Sequence, residues 1–335
     1  MLWILFIVLV AALLALDLFV LNPDPHVIYA REAFKWTALY AGIALSFTAF
    51  VYFGYDRGWL GLGSDIGIAK PGGEAAIEYL SGYLVELSLS MDNVFVIALI
   101  FSAFGIKPLH QHRVLFWGIL GAVVFRGAMI LLGATLLERF EWITYVFGAI
   151  LLYSAYKMWT SGGQEIHPEE NGIVKAIGKL IPVSREHHDD RFFIRRDGVR
   201  MATPAFVALL VVEGTDVVFA FDSIPAIFAI TRDPFLVFSS NIFAILGLRS
   251  LYFVLASMMD RFHLLKYALV VVLAFVGVKI LLVHYVHIPA AVSLGVIVLV
   301  LGAGVYLSLR QNPTSTADLD ATPPTPEHAD AGFGV

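Results

Sequence analysis

Residues 86–93 read Glu-Leu-Ser-Leu-Ser-Met-Asp-Asn, and residues 213–225 read Glu-Gly-Thr-Asp-Val-Val-Phe-Ala-Phe-Asp-Ser-Ile-Pro. Each stretch lies inside a hydrophobic segment long enough to cross a bilayer. A carboxylate at that depth costs at least about 2.5 kcal/mol on insertion scales, so such residues usually face a binding site or a water path. Five carboxylates in two segments therefore predict a functional site inside the membrane. The alternative is that protonation or a buried basic partner neutralises them.

The two stretches also resemble each other, which indicates an internal duplication of about 80 residues. Glu86 and Asp92 are spaced as Asp216 and Asp222 are, and both pairs continue into apolar sequence. Basic residues further along the chain match in the same way: Arg126 with Arg249, Arg139 with Arg261, and Lys157 with Lys279.

Composition places the chain among membrane proteins. Hydrophobic residues make up 59% of its 335 residues, and its mean hydropathy of +0.80 is well above that of a soluble domain. The sequence contains no cysteine, which excludes disulfides, thiolate metal sites and dithiol redox chemistry within it. No cofactor motif or nucleophile arrangement indicates an enzyme.

Apolar runs predict an all-α, polytopic membrane protein with nine transmembrane helices, the first retained as a helix and not removed as a signal peptide. The predicted spans are Leu2–Leu21, Trp36–Tyr55, Tyr79–Phe101, Val114–Leu137, Trp142–Trp159, Pro204–Ile230, Phe235–Met258, Leu264–His284 and Pro289–Leu309.

These spans divide the chain into six parts. They are residues 1–78 with two helices and an outside loop, 79–159 as the first three-helix repeat, 160–202 as a cytoplasmic loop, 203–284 as the second repeat, 285–310 as the last helix, and 311–335 as a disordered tail. Within the loop, Asp197-Gly198 between two short apolar runs predicts a β-hairpin with a type I′ turn.

Basic residues set the predicted orientation. Most of the 22 lysine and arginine residues fall on one side of the predicted membrane, together with the 160–202 loop. The positive-inside rule then places the N-terminus outside and the C-terminus in the cytoplasm. Because each repeat holds three spans, the two copies enter the membrane from opposite sides. Inverted repeats of this kind are typical of secondary transporters, whose site lies near the midplane between the repeats.

The acidic stretches predict a site for a hard divalent cation. Carboxylates with neutral oxygen donors suit Mg²⁺, Ca²⁺ or Mn²⁺ better than Zn²⁺ or Cu⁺, and acids that lose protons when a cation binds offer a route to proton exchange. The predicted ligands are Glu86, Asp92, Asn93, Glu213, Asp216 and Asp222, and the auxiliary candidates are Ser90, Met91, Thr215, Ser223, Asn241, Arg126 and Arg249.

Several auxiliary residues leave alternatives open. The Met91 thioether would favour Mn²⁺, but the side chain could equally pack in the core. Asn241 could reach the site or bond between helices. Arg126 and Arg249 could pair with acids across the repeat interface or act in gating. Pro225 lacks an N–H for the helix, so we expect a kink or break at residues 222–225, and a matching distortion at residues 88–93 that would free carbonyl ligands.

Long runs of the chain resemble the TerC family. They are Glu-Leu-Ser-Leu-Ser-Met-Asp-Asn-Val-Phe-Val at 86–96, Val-Glu-Gly-Thr-Asp-Val-Val-Phe-Ala-Phe-Asp-Ser-Ile-Pro-Ala-Ile-Phe-Ala-Ile-Thr at 212–231, and Ser-Asn-Ile-Phe-Ala-Ile-Leu-Gly-Leu-Arg-Ser-Leu-Tyr-Phe at 240–253. The resemblance covers about residues 30 to 310 and is strongest to the Alx-like branch. It places the chain in the LysE-like transporter superfamily.

That resemblance implies a bacterial inner-membrane protein linked to Mn²⁺ export and, historically, to tellurite resistance. The family's acidic motif residues carry over onto the six predicted ligands. Gly214 departs from the pattern, since the family often has Thr or Ser there. Two other functions remain open: export of an amino acid or other small solute, and a membrane assembly or stress scaffold that would not need the acids.

Overall fold

In the computed structural model, the described part of the chain is a bundle of α-helices with one short β-hairpin. The structure describes residues 1–16, 30–64, 66–140, 142–160, 192–196, 199–256, 265–283, 285–286 and 288–311. The predicted ends of the first and seventh spans, most of the cytoplasmic loop, and residues 312–335 of the predicted tail lie outside this part.

The helices and strands follow the predicted order. They are α1 (Leu2–Leu16), α2 (Ala30–Arg57), α3 (Gly72–Ala103), α4 (Pro108–Arg139), α5 (Ile143–Thr160), β1 (Phe193–Arg196), β2 (Val199–Ala202), α6 (Pro204–Phe228), α7 (Pro234–Leu246), α8 (Leu248–Ala256), α9 (Leu265–Leu281) and α10 (Ala290–Gln311).

The prediction of an all-α, polytopic membrane protein is confirmed. Within the described residues, α2, α3, α4, α6 and α10 are long and apolar enough to cross a membrane. Helices α7 and α8 pass the same test together as one broken span, bent by 42° at Gly247. The count of nine spans stays a prediction, because α1 and α9 are shorter apolar helices and α5 is not among the helices that pass this test.

Helix α3 is the centre of the bundle. It packs against α2, α6, α7, α8 and α10, and 62% of its apolar window is buried, against 17% to 33% for the other four long helices. Any polar group midway along α3 is therefore shielded from lipid and must find its partner inside the protein.

The remaining contacts follow a paired pattern. Helix α3 packs on α7 and α8, α6 packs correspondingly on α4, and α5 packs extensively on α9. If α3 corresponds to α6, α4 to the pair α7 and α8, and α5 to α9, the contact of α3 with α7 and α8 corresponds to that of α6 with α4. The contact between α5 and α9 then corresponds to itself. This pattern is the one that two related three-helix units would give, although the division into inverted repeats stays a prediction.

The β-hairpin forms where Asp-Gly predicts it. Strands β1 and β2 are antiparallel, with Phe193 opposite Ala202 and Arg196 opposite Val199. The two turn residues lie outside the described part. Thr203 then joins the hairpin to α6, because its N–H donates to the Phe192 carbonyl and its hydroxyl accepts from the Phe206 N–H as an N-cap.

Tight packing of α5 on α9 generates a stability prediction. A Cβ at Gly148 would lie 2.6–2.7 Å from side-chain carbons of Ile280 and Leu281, whereas a Cβ at Gly295 on α10 would meet nothing within 4 Å. Alanine improves helix propensity by up to about 1 kcal/mol, but overpacking costs about 1–3 kcal/mol. Gly148→Ala should therefore lower the melting temperature in detergent, and Gly295→Ala should keep or raise it. Equal effects of the two substitutions would contradict this packing.

Candidate functional site

A buried arginine lies between two of the predicted acids. Arg126, midway along α4, has no solvent exposure. Its Nε and Nη2 atoms donate to the two oxygens of Asp216 on α6, over 3.1 and 2.7 Å. Its Nη1 atom forms an ion pair with Glu86 on α3 and lies 3.4 Å from the Ser223 hydroxyl. One guanidinium thus joins three helices.

The charge balance of this cluster is negative. Two carboxylates share one guanidinium, and the Oε2 atom of Glu86 is buried with no hydrogen-bond partner in the described part of the chain. The Ser90 hydroxyl lies 3.5 Å from the other Glu86 oxygen, which is too long to be a strong hydrogen bond. Residues from the two acidic stretches therefore converge, as predicted, but around a protein cation.

Asp222 has a different partner. Its Oδ1 atom accepts a 2.5 Å hydrogen bond from the Ser154 hydroxyl on α5. Asp216 and Asp222 are six residues apart on a helix, so they point in different directions. Asp216 accordingly contacts α4, and Asp222 contacts α5.

Glu213 faces α4 one turn before Asp216. Its carboxylate lies against Gly121, where a Cβ would clash with it, and its Oε2 atom is buried without a described partner. The surrounding groove between α4 and α6 is apolar and includes Trp117 and Val124. Glu213 and Asp216 therefore share the helix face that their spacing predicts, but they meet different positions on α4.

The remaining predicted ligands lie on α3. Asn93 is buried. Asp92 is part of the same helix, but its side chain lies outside the described residues. Among the described residues, the structure brings together no group of three His, Asp or Glu side chains able to hold a metal ion. The six predicted ligands stay a prediction.

Three auxiliary candidates have ordinary structural contacts. The Thr215 hydroxyl donates to the Val211 carbonyl within α6. Met91 packs in an apolar cluster with residues of α3, α4, α6 and α8. Arg249 lies 2.8 Å from the His112 ring nitrogen of α4. Pairing of an interior arginine with acids across the two segments is thus observed for Arg126, whereas this Arg249 contact is to a histidine.

Asn241 on α7 is a different case. It has no solvent exposure, and neither its carboxamide oxygen nor its nitrogen has a hydrogen-bond partner in the described part of the chain. Leaving a buried polar group unpaired costs about 1–3 kcal/mol. The Asn241 carboxamide is therefore a candidate donor and acceptor for a bound ligand.

Apolar packing of α7 on α4 indicates where Asn241 lies along the length of α4. One turn before it, Val237 shares a cluster with Ile130 of α4, and one turn after it, Ile245 shares a cluster with Ala122 of α4. The buried arginine lies midway between these two α4 residues. The orphaned carboxamide therefore lies at the level of the Arg126 cluster.

The predicted break at residues 222–225 is wrong, and residues 88–93 are helical; the kink that was the alternative at residues 222–225 stays a prediction. Helix α6 continues through Pro225 to Phe228, and α3 is helical from Gly72 to Ala103. Pro225 removes only one backbone bond, to the Phe221 carbonyl, and the helix ends a few residues later. The Phe221 carbonyl, next to Asp222, is thus the one carbonyl in α6 that the proline deprives of its helix bond.

Sequence reasoning missed two polar clusters at the end of the bundle where α3 begins. Asp233 caps α7 and accepts from the Tyr55 hydroxyl and the Ile68 N–H, both over 2.7 Å. Lys70 forms a 2.5 Å ion pair with Glu78, both side chains only 9% exposed. Asp before Pro234 at a helix start was the available signal for the first cluster; no signal pointed to the second.

Comparison with known proteins gives one matching family and several relatives. Residues 72–316 match the profile described as the integral membrane protein TerC family. An uncharacterized membrane protein of Myxococcus xanthus is 46% identical over 320 residues, covering 95% of each chain. Escherichia coli K12 has a relative named Alx, described as a candidate membrane-bound redox modulator, which is 42% identical over 89% of this chain and 90% of its own. No solved structure gives a significant match.

The arginine cluster generates a second stability prediction. Arg126→Gln would leave two buried carboxylates without their cation, and breaking a buried pair in this way costs about 3–5 kcal/mol. We expect a large loss of the monodisperse folded fraction on heating in detergent. Arg126→Lys keeps the charge but loses the bidentate contact with Asp216. Its loss of folded fraction on heating should therefore be intermediate between those of the wild type and Arg126→Gln. Wild-type stability of Arg126→Gln would contradict the cluster.

Proposed function

The chain belongs to the TerC family of integral membrane proteins, and from that membership we propose that it is a secondary transporter exporting a divalent metal cation. Mn²⁺ is the first candidate cargo, and Ca²⁺ and Mg²⁺ fit the same oxygen donors. The proposed path runs through the carboxylates of Glu86, Asp92, Glu213, Asp216 and Asp222.

One observation carries the proposal: carboxylates from both acidic stretches already share a buried cation. Glu86 and Asp216 lie on different helices, and both contact the Arg126 guanidinium. A buried charge persists only with a partner of opposite sign. Two carboxylates that stabilise a guanidinium between them can also stabilise a metal cation in its place.

In the proposed cycle, Arg126 is the internal substitute for the cargo. When a divalent cation enters, Glu86 and Asp216 exchange the guanidinium for the ion, and Arg126 moves aside. The unpaired Oε2 of Glu86 and the unpaired carboxamide of Asn241 are the available further oxygen donors at that level. When the cation leaves, the guanidinium returns and keeps the carboxylates neutralised, which prevents a permanent leak.

Exchange for protons fits the remaining acids. Asp222 accepts from the Ser154 hydroxyl, and Glu213 lies against Gly121 in an apolar groove. A carboxyl group in such surroundings can hold a proton at low cost, because no arginine fixes its charge. Cation binding that displaces these protons would couple metal export to proton entry.

The proposed location is the bacterial inner membrane, with the N-terminus outside and the C-terminus in the cytoplasm. The lysine and arginine distribution supports this orientation. The E. coli relative is named as a redox modulator. The present chain has no cysteine, so an effect of that kind would not proceed through thiols of its own.

Transport in inside-out vesicles tests the proposal. Vesicles containing the protein should accumulate Mn²⁺ several-fold above empty vesicles when an imposed proton gradient is present. Asp92→Asn and Asp216→Asn should each reduce uptake at least about tenfold, since each removes a charge that the cargo needs. Parallel measurements with Mg²⁺, Ca²⁺ and Zn²⁺ give the selectivity.

Glu138→Gln is the matched control, because Glu138 is an exposed acid at the end of α4 outside the proposed path. It should transport as the wild type does. Size-exclusion profiles must show that all variants are folded. Undiminished Mn²⁺ uptake by both folded aspartate variants would overturn the proposal.

A further inference from the structure

A second cavity lies away from the arginine cluster. It has a volume of about 500 Å³ and lies where α3, α5 and α10 begin and where α4, α6 and α9 end. This is the end of the bundle predicted to face outside. Clefts of this size hold small ligands. Its charged and hydroxyl-bearing lining residues are Glu74, Glu78, Thr144, Thr231, Arg232 and Lys279.

The charges of the two acids that line this cavity are stabilised by groups other than a ligand. Glu78 is buried and forms its 2.5 Å ion pair with Lys70, whose ammonium also lies 3.4 Å from the Thr231 hydroxyl. Glu74 is exposed in the first turn of α3, where water and the helix N-terminus stabilise its charge. The Glu78 charge is therefore neutralised inside the protein.

The two basic side chains that line the cavity have no carboxylate within 4 Å among the described residues. Lys279 is half-buried, and in the described residues it forms no hydrogen bond and no ion pair within 4 Å. Arg232 donates from Nη2 to the Thr144 hydroxyl over 3.2 Å, which leaves its charge without a carboxylate in the same part of the chain. A half-buried ammonium needs a counter-charge, and Glu78, the carboxylate that attracts Lys279 from beyond 4 Å, is already paired with Lys70.

Helix dipoles do not decide whether the electrostatic potential in the cavity is positive or negative. The positive ends of α3, α5 and α10 lie there together with the negative ends of α4, α6 and α9, so their contributions oppose one another. The side chains therefore set the preference. A lysine, an arginine and two threonine hydroxyls form a donor set that suits the oxygens of an anion.

We propose that this cavity binds a phosphate group, held by Lys279 and Arg232. Free phosphate and the headgroup of an anionic lipid carry the same chemistry, and the cavity's place at the end of the bundle is open to both. The site goes beyond the proposed cation transport, since three basic side chains, Lys70, Lys279 and Arg232, lie at or beside the cavity against two carboxylates, Glu74 and Glu78, and this excess disfavours a divalent metal ion.

Binding of inorganic phosphate and of anionic lipid can be measured separately. Purified protein is placed in nanodiscs made only of phosphatidylcholine, and binding of inorganic phosphate is followed by calorimetry. In a second arm, phosphatidylglycerol replaces part of the lipid, and lipid retained by the protein is quantified by native mass spectrometry. Binding in the first arm assigns the site to free phosphate, and retention in the second alone assigns it to a lipid headgroup.

Variants identify the cavity. Lys279→Met should weaken the observed binding about tenfold or more, as expected for loss of one charge-assisted contact, and Arg232→Gln should also weaken it. Lys157→Met is the matched control, because it removes the same charge at an exposed position outside the cavity. Lys157 lies near the end of α5, as Lys279 lies near the end of α9. Lys279→Arg checks folding and should retain binding. Absence of binding in both arms, or equal binding by wild type and folded Lys279→Met, overturns the site.

Discussion

The structure depends on one buried positive charge that two carboxylates share. Arg126 cannot lose its proton in a protein, and it lies in the bundle with no exposure. Its position therefore requires Glu86 and Asp216, and these require it. Because each member comes from a different helix, the charge balance fixes how α3, α4 and α6 meet.

This constraint also explains why the centre of the bundle is suited to function. Buried ion clusters contribute little net stability compared with apolar packing, so three apolar residues would serve the fold at least as well. Two carboxyl groups share one guanidinium in the cluster, and within the described residues the Oε2 atom of Glu86 and the carboxamide of Asn241 have no hydrogen-bond partner. Polar groups left incomplete in this way are expected where a ligand binds.

The described arrangement is a closed one for a cation. Arg126 occupies the two carboxylates, and among the described residues no three acidic or histidine side chains surround a common point. A cycle of cation export requires Arg126 to leave, and the 42° bend at Gly247 between α7 and α8 is a place where the neighbouring span could change shape. Broken spans of this kind are common beside transporter sites.

Sequence predicted much of the fold, because apolar length and the Asp-Gly turn signal are local properties. Pairing of Arg126 with acids was one of the two alternatives that the sequence left open, and the structure shows it. The sequence did not predict the Ser154–Asp222 bond, since periodicity does not fix the rotation of one helix against another. The break expected at Pro225 is wrong because one lost bond near a helix end is tolerated, and the bend at Gly247 falls inside a stretch that apolar length predicted as one span, Phe235–Met258.

A crystal structure of the protein crystallised with Mn²⁺, with data collected at the manganese absorption edge, most directly tests whether Glu86 and Asp216 bind the cation. We expect an anomalous peak in contact with the carboxylates of Glu86 and Asp216, with the Arg126 guanidinium displaced from at least one of them. An intact Arg126 cluster with no manganese peak between α3 and α6 would contradict it.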